Sequence, residues 1–420
     1  MIFSWQPLKL IVMSPKLKFL LILLSGLLLN QCKKDKPNTV NIPDNNFLNI
    51  LIQKGIDSDG DGKISYSEAA VVRSLDISGN NLSDITGIES FINLDILVCF
   101  FNNLSSLDVS KSKSLVFLEC GQNQITSLNV SKNLALTSLN CTTNKLTSLV
   151  VSKNTRLSFL DCSNNFLTNL DVSNNSALKS LWCGNNGLPR LDISSCIALK
   201  ELVTSGNWPL SNLDVSKNVI LERLYCGLSI IRTLDLSDHT ALKELDCSGS
   251  GSLETLNLSG DTALEHIDCE GNHLYGLDLS DCSALTYLLC GGNKISSLDL
   301  SQNTFLFVLD CYYCHLSGID VSKNIYLVSL ECSHNSLTSL DITHNKSLGM
   351  LSCGTNQFTT LDISHNTGSV TNPGGLNSLH INDMPSLYKV CVWSLPFPPS
   401  GLTVDSSGSP NVYYSIDCSK

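Results

Sequence analysis

The 420-residue chain is poor in charge and in aromatic rings: Asp, Glu, Lys and Arg make up 15% of it and Phe, Trp and Tyr 6%. With 42% hydrophobic residues, that scarcity of charge excludes a wholly disordered chain. Basic side chains are the minority, 27 against 38 acidic ones, for a net charge of −11. Nucleic acid is excluded as an expected partner, because it needs a basic footprint. No apolar run reaches the roughly 18 residues that a membrane-crossing helix requires. Also missing are G-x-S-x-G, H-E-x-x-H, a phosphate-binding P-loop and a dinucleotide fingerprint, so no enzyme is expected. The eight His are scattered; His344 and His365 fall one period apart, as turn residues would.

What is present begins with an address. Lys16 and Lys18 precede an apolar stretch from Phe19 to Leu29, broken only by Ser25 and Gly26. That length suits a signal-peptide core and not a bilayer span. The stretch ends Leu29-Asn30-Gln31-Cys32, which resembles a bacterial lipobox, with Gln31 where a small residue is usual. The resemblance implies cleavage after residue 31, lipidation of Cys32, and a protein tied to the outer membrane or cell surface by that anchor alone. Met13 makes a more usual start than Met1. Residues 32–46 then read as a polar tether.

Residues 57–68 read D-S-D-G-D-G-K-I-S-Y-S-E. This matches a twelve-residue EF-hand loop, with carboxylates from Asp57, Asp59 and Asp61, the Lys63 carbonyl, a water-mediated contact from Ser65 and a bidentate Glu68 around Ca2+. Gly62 supplies the sharp turn. Four acids within one short loop repel one another unless a cation joins them. Phe47–Ile52 and Ser67–Arg73 are the expected flanking helices, giving a small helical cap over 47–74. A lone loop of this kind resembles the calcium motifs of bacterial surface proteins and dockerins.

From about residue 75 to 390 the chain repeats with a period of 21, as in LTSLNCTTNKLTSLVVSKNTR at 136–156 and LSFLDCSNNFLTNLDVSNNSA at 157–177. The pattern L-x-x-L-x-C-x-x-N-x-L-x-x-L-D-V-S-x-N closely resembles a bacterial class of leucine-rich repeat with a nested 10+11 period. One copy cannot bury its own leucines, but stacked copies share a core. Period-2 triplets such as Leu139-Asn140-Cys141 and Leu170-Asp171-Val172 read as short strands. The expected fold is therefore an all-β-rich solenoid with two short parallel strands per coil, two sheets back to back and about thirteen coils. Register shifts are expected near Trp208, Gly227, Gly251 and Gly260. Residues 391–420 form a C-terminal cap.

The repeat places the cysteines. Cys99, Cys120, Cys141, Cys162, Cys183, Cys226, Cys247, Cys269, Cys290, Cys311, Cys332 and Cys353 fall in one column, with Thr204 filling its gap. They are expected as free, inward thiols behaving as small hydrophobes, since parallel Cβ vectors hold neighbouring sulfurs in poor disulfide geometry. Cys391 and Cys418, outside the stack in an oxidising compartment, are the expected disulfide. A column of Asp before the second-half hydrophobe, including Asp108, Asp171, Asp214 and Asp299, is expected to be held by neighbouring Ser and turn amides.

A uniform column suits architecture, and a varied one suits recognition. The outward positions of the Cys strand vary: Phe117, Phe159, Trp182, Arg223, Tyr225 and Tyr287, interleaved with acids such as Glu119, Asp161 and Asp268. Phe117 and Phe159 share a column, with Trp182 one position nearer the Cys. An aromatic strip on an open sheet suits a protein surface or the face of a sugar. The function expected is recognition of a protein or glycan at the cell surface. The competing readings are a polysaccharide-acting enzyme and a passive surface spacer.

Overall fold

The computed structural model describes residues 38–367 and 375–418. The expected signal segment, Cys32 and the first part of the tether lie outside the described residues. Helix α1 (Asn45–Gln53) begins where the Asp44 carboxylate accepts the N–H groups of Asn46 and Phe47. Helix α2 (Tyr66–Val71) is capped by Ser65 in a reciprocal box with Glu68. Such boxes satisfy backbone donors that a helix start leaves free. Both helices fall within a residue or two of the expected ones.

Beyond α2 the chain coils. Sixteen three-residue strands, from Ser74–Asp76 to Thr403–Asp405, form one continuous sheet in which each strand pairs with the next coil. Every pairing is parallel and in register, as in Phe117↔Ser138↔Phe159. The middle residue of each triplet points inward: Leu118, Leu139 and Leu160 are fully buried. Each buried leucine contributes about 2 kcal/mol, but only because a neighbouring coil covers it.

Three expectations change. Pairing continues past residue 390, through Thr403–Asp405 in the long sheet and Tyr413–Ser415 behind it, so the rungs number sixteen and not thirteen. The second sheet is fragmentary: Thr233–Asp235 pairs with Thr255–Asn257, and Thr360–Asp362, Lys389–Cys391 and Tyr413–Ser415 form a trio. Elsewhere the second half-coil is extended without a ladder, and the N–H two residues after each Asp is taken by that carboxylate, as Ser110 by Asp108. Lastly, one-residue shifts fall in the coils of Trp208 and Gly251, where partners stand 22 apart (Glu201↔Arg223 and Glu244↔His266), and not at Gly227. Another separates Ser74 from Ile96.

The turn after each Cys strand needs a left-handed residue. Gln122, Thr143, Asn164 and Asn185 adopt φ between 49° and 54° there, and Gly271 and Gly292 take the place in later coils. The following Asn holds the turn closed. Asn123 donates from Nδ2 to the carbonyls of Cys99 and Cys120, at 3.0 and 3.1 Å, while its Oδ1 accepts the Leu104 N–H at 2.9 Å. One side chain thus ties two coils together in a buried setting, where unpaired backbone groups would be costly.

Candidate recognition face and calcium loop

The long sheet presents two outward columns. Phe117, Phe159, Arg223 and Tyr287 lie in the first, with Ser138, Ser180, Glu201, Glu244 and His266 among them. Trp182 and Tyr225 lie in the second, with Glu119, Asp161, Asp246 and Asp268. Trp182 therefore pairs with Asp161 and sits two residues along from the Phe159 column, not one. The alternation of a strand allows no other outward position.

The six residues form local partnerships rather than an even strip. Phe159 and Trp182 meet edge to face with ring centroids 5.4 Å apart. Arg223 pairs through Nε with Glu201 at 3.1 Å. Tyr225 donates its hydroxyl to Glu244, and burial together with that carboxylate pushes the phenol up to about 12. Tyr287 stacks on His266 at 4.6 Å, nearly parallel. Phe117 stands apart, with Ser138 between it and Phe159. The partners Glu201, Glu244 and His266 were missed in the sequence, where they are unremarkable; only strand register brings them alongside.

Acids fill the gaps between these groups. Burial raises Glu119, Asp161, Asp268 and Asp310 above the usual carboxylate range. Burial, then the charges of Asp310 and Asp268, push Glu270 up to about 7. By contrast, backbone and hydroxyl hydrogen bonds from the Ser two residues on hold Asp108, Asp171, Asp214 and Asp299 below their usual value. The front acids accept the same N–H two residues on, as Asp161 does from Ser163 and Asp310 from Tyr312, both at 2.9 Å; what sets them apart is the burial that raises them.

Fifteen cysteines, including all twelve of the column, are free and buried. Desolvation raises most of their pKa values, Cys183 and Cys226 to about 12; in one pair a hydrogen bond between the two sulfurs leads, raising Cys290 and lowering Cys314. Cys391 and Cys418 are bonded to each other, with Cα atoms 5.5 Å apart. A second inward column of Asn lies behind the first, with Cys196 and Cys282 standing in for Asn in two coils. It runs through Asn133, Asn154, Asn175 and Asn218, then His239, Asp261 and Cys282, and returns to Asn303.

In the 57–68 loop, Asp57, Asp59 and Asp61 bring carboxylate oxygens within 4.8 Å of one another. The Asp57 carboxylate accepts the N–H groups of Gly60, Asp61 and Gly62 at 2.9 to 3.2 Å, and Gly62 takes φ +79° to allow it. Glu68 stands outside that trio. Its carboxylate accepts the N–H groups of Ser58 and Ser65 at 2.7 and 2.8 Å, and both their hydroxyls. Those bonds hold it down to about 2. Ser65 serves as the α2 cap. The trio fits a hard cation, since oxygen donors converge there without a protein cation among them.

No family model matches the chain. Among solved structures, the functional domain of InlJ from Listeria monocytogenes, which includes a cysteine ladder, is 33% identical; the match covers 81% of this chain and 80% of that one, with a TM-score of 0.66. A leucine-rich-repeat protein of Leptospira interrogans, 20% identical over 81% of this chain and 85% of its own, shares the fold at a TM-score of 0.62. So does an internalin, InlF, of Listeria monocytogenes, 19% identical over 89% and 98% of the two chains, at 0.54. Among curated proteins, internalin J of Listeria monocytogenes is 36% identical over 70 residues, 17% of this chain. The chain spans 8% of that protein's length.

Proposed function

The chain belongs to the cysteine-ladder leucine-rich-repeat proteins related to internalin J, and from that premise we propose that it is a cell-surface recognition module. It holds a protein or glycan against the open face of the long sheet. The observation that carries this reading is the Phe159–Trp182 edge-to-face pair standing outward on that sheet. Both rings keep part of their surface in solvent, and covering that part against a partner supplies binding energy at about 25 cal/mol per Å² of apolar area, before ordering costs.

Two accessories complete the proposal. Ca2+ seated among Asp57, Asp59 and Asp61 offsets their mutual repulsion and steadies the helical cap. The close approach of those carboxylates supports it. A lipid on Cys32 holds the rod at the outer membrane or cell surface, on the strength of the lipobox-like sequence before it. Among the described residues no helix is long and apolar enough to cross a membrane.

The test is an array of purified surface proteins and glycans, probed with the soluble rod with and without calcium. A specific ligand whose binding depends on Phe159 and Trp182 is the expected result. Ligands indifferent to both residues would remove the proposal. Fractionation tests the anchor: Cys32→Ser is expected to leave the membrane pellet, and equal retention counts against lipidation.

A further inference from the structure

One depression interrupts the front of the long sheet, with a volume of about 320 Å³. It opens where two consecutive coils carry short acids in the second outward column, Asp246 and Asp268, between coils that carry larger groups. Tyr225 forms the wall on one side. Tyr287 and Leu289 form it on the other, with His266 stacked flat on Tyr287. Asp246 and Asp268 thus lie in the floor beside Leu245 and Ile267, and the walls are aromatic and aliphatic.

The charges of this floor have no counterion. Asp246 and Asp268 are direct register partners, so their carboxylates stand about 5 Å apart. Asp246 accepts the N–H and the hydroxyl of Ser248, at 2.9 and 2.7 Å, and Asp268 accepts the N–H of Glu270 at 3.1 Å. Neither belongs to an ion pair among the described residues, and the Arg223 guanidinium is taken by Glu201. Glu244, on the rim, is occupied by the Tyr225 hydroxyl. Two adjacent, partly desolvated carboxylates repel each other, and a ligand that relieves this must be cationic. A planar cation gains twice, because its edge donates to carboxylates while its face lies on a tyrosine ring.

We propose that this depression is a subsite for an arginine side chain of a protein partner, with the guanidinium donating to Asp246 and Asp268 and lying against Tyr225. This rests on the recognition reading above and narrows it to a protein that presents arginine. The Phe159–Trp182 pair lies earlier on the same face and would take apolar surface of that partner.

The probe is a ten-residue Gly/Ser peptide with one central arginine, compared with the same peptide carrying citrulline, which keeps the shape and removes the charge. Binding to the whole chain is followed by titration calorimetry at fixed calcium. At least tenfold tighter binding of the arginine peptide is expected, and at least tenfold loss of it in Asp246→Asn/Asp268→Asn. That variant should fold, because Asn140 already occupies the same column and accepts the Thr142 N–H through Oδ1 at 2.9 Å; its melting temperature serves as the control. Equal binding of the citrulline peptide, no binding of the arginine peptide, or an unaffected double variant overturns the subsite. If array ligands still depend on Phe159 and Trp182 in that event, the subsite alone has failed and the recognition face stands.

Discussion

The Val40 N–H donates to the Ile64 carbonyl at 2.7 Å. Ile64 belongs to the acidic loop and Val40 to the end of the tether, and a bridge between Thr39 and Ser65 extends the pairing. The lone loop therefore has a strand partner, the segment that leads in from the membrane side in our proposal. In the proposal above, calcium binding at the loop and docking of the tether are therefore coupled. We expect one ion to bind by calorimetry and amide exchange at Val40 and Tyr66 to slow when it does. Asp57→Ala with Glu68→Gln should abolish both responses. A wild type that gives no heat with calcium would refute the loop.

For the aromatic pair, Phe159→Ala with Trp182→Ala is expected to weaken ligand binding tenfold or more. Loss of stability should not exceed about 1 kcal/mol, the scale of one aromatic contact on a surface. Asp299→Ala should behave oppositely, melting earlier with binding intact, because the Asp299 carboxylate accepts the Ser301 N–H at 2.9 Å. Early melting of the aromatic variant would make those rings packing residues and move the recognition face elsewhere.

Thr204 breaks the thiol column, and its buried hydroxyl has no hydrogen-bond partner. A buried unpaired hydroxyl costs on the order of 1 kcal/mol. Thr204→Cys is therefore expected to stabilise the rod by about that amount, read as a higher urea midpoint under reducing conditions. Thiol titration should find the fifteen buried cysteines silent in the folded chain and reactive after denaturation. Disulfides between neighbouring rungs in mass spectra would contradict the geometry.

Asp261 is fully buried with neither carboxylate oxygen hydrogen-bonded. It occupies the column in which Asn218, two coils earlier, ties coils together by donating to the Ile193 and Cys196 carbonyls. An ionised carboxylate cannot donate, and burial pushes Asp261 up to about 7. A carboxyl whose folded pKa is raised contributes stability below its unfolded value, and that contribution is lost as pH rises through about 7. Asp261→Asn, which restores donors, should thus stabilise the chain most above pH 7, by about 1–3 kcal/mol. The gain should shrink towards pH 4. A pH-independent difference in melting would show that Asp261 does not titrate in this range.

The period of 21 made the solenoid legible, since a leucine every few residues has one way to be buried repeatedly. Likewise the column of Cys99 through Cys353 was readable as inward because strand alternation leaves no choice. The second sheet was overread: Leu170-Asp171-Val172 has the alternation of a strand but belongs to no sheet among the described residues, because alternation reports which side chains point inward and not whether adjacent coils bond to one another. Arg223 and Tyr225 were singled out as bare ligand contacts. Their actual partners, Glu201 and Glu244, lie 22 and 19 residues away, and the first of these pairings depends on the extra residue in the Trp208 coil. The acidic depression between Tyr225 and Tyr287 depends on another such insertion, near Gly251.

Each strand of the long sheet is bonded only to the coil before it and the coil after it. Such a molecule has no centre whose loss collapses the whole. A cut or a frayed rung divides it into two shorter rods, and the coils on either side keep the neighbours that cover their leucines. Erosion accordingly starts at the two tips and advances one rung at a time. The coils from Phe117 to Tyr287 are the third to the eleventh of the sixteen rungs, with two before them and five after. The outer rungs act as a sacrificial margin, and the protein can shorten at either end before the residues that would meet a partner are disturbed.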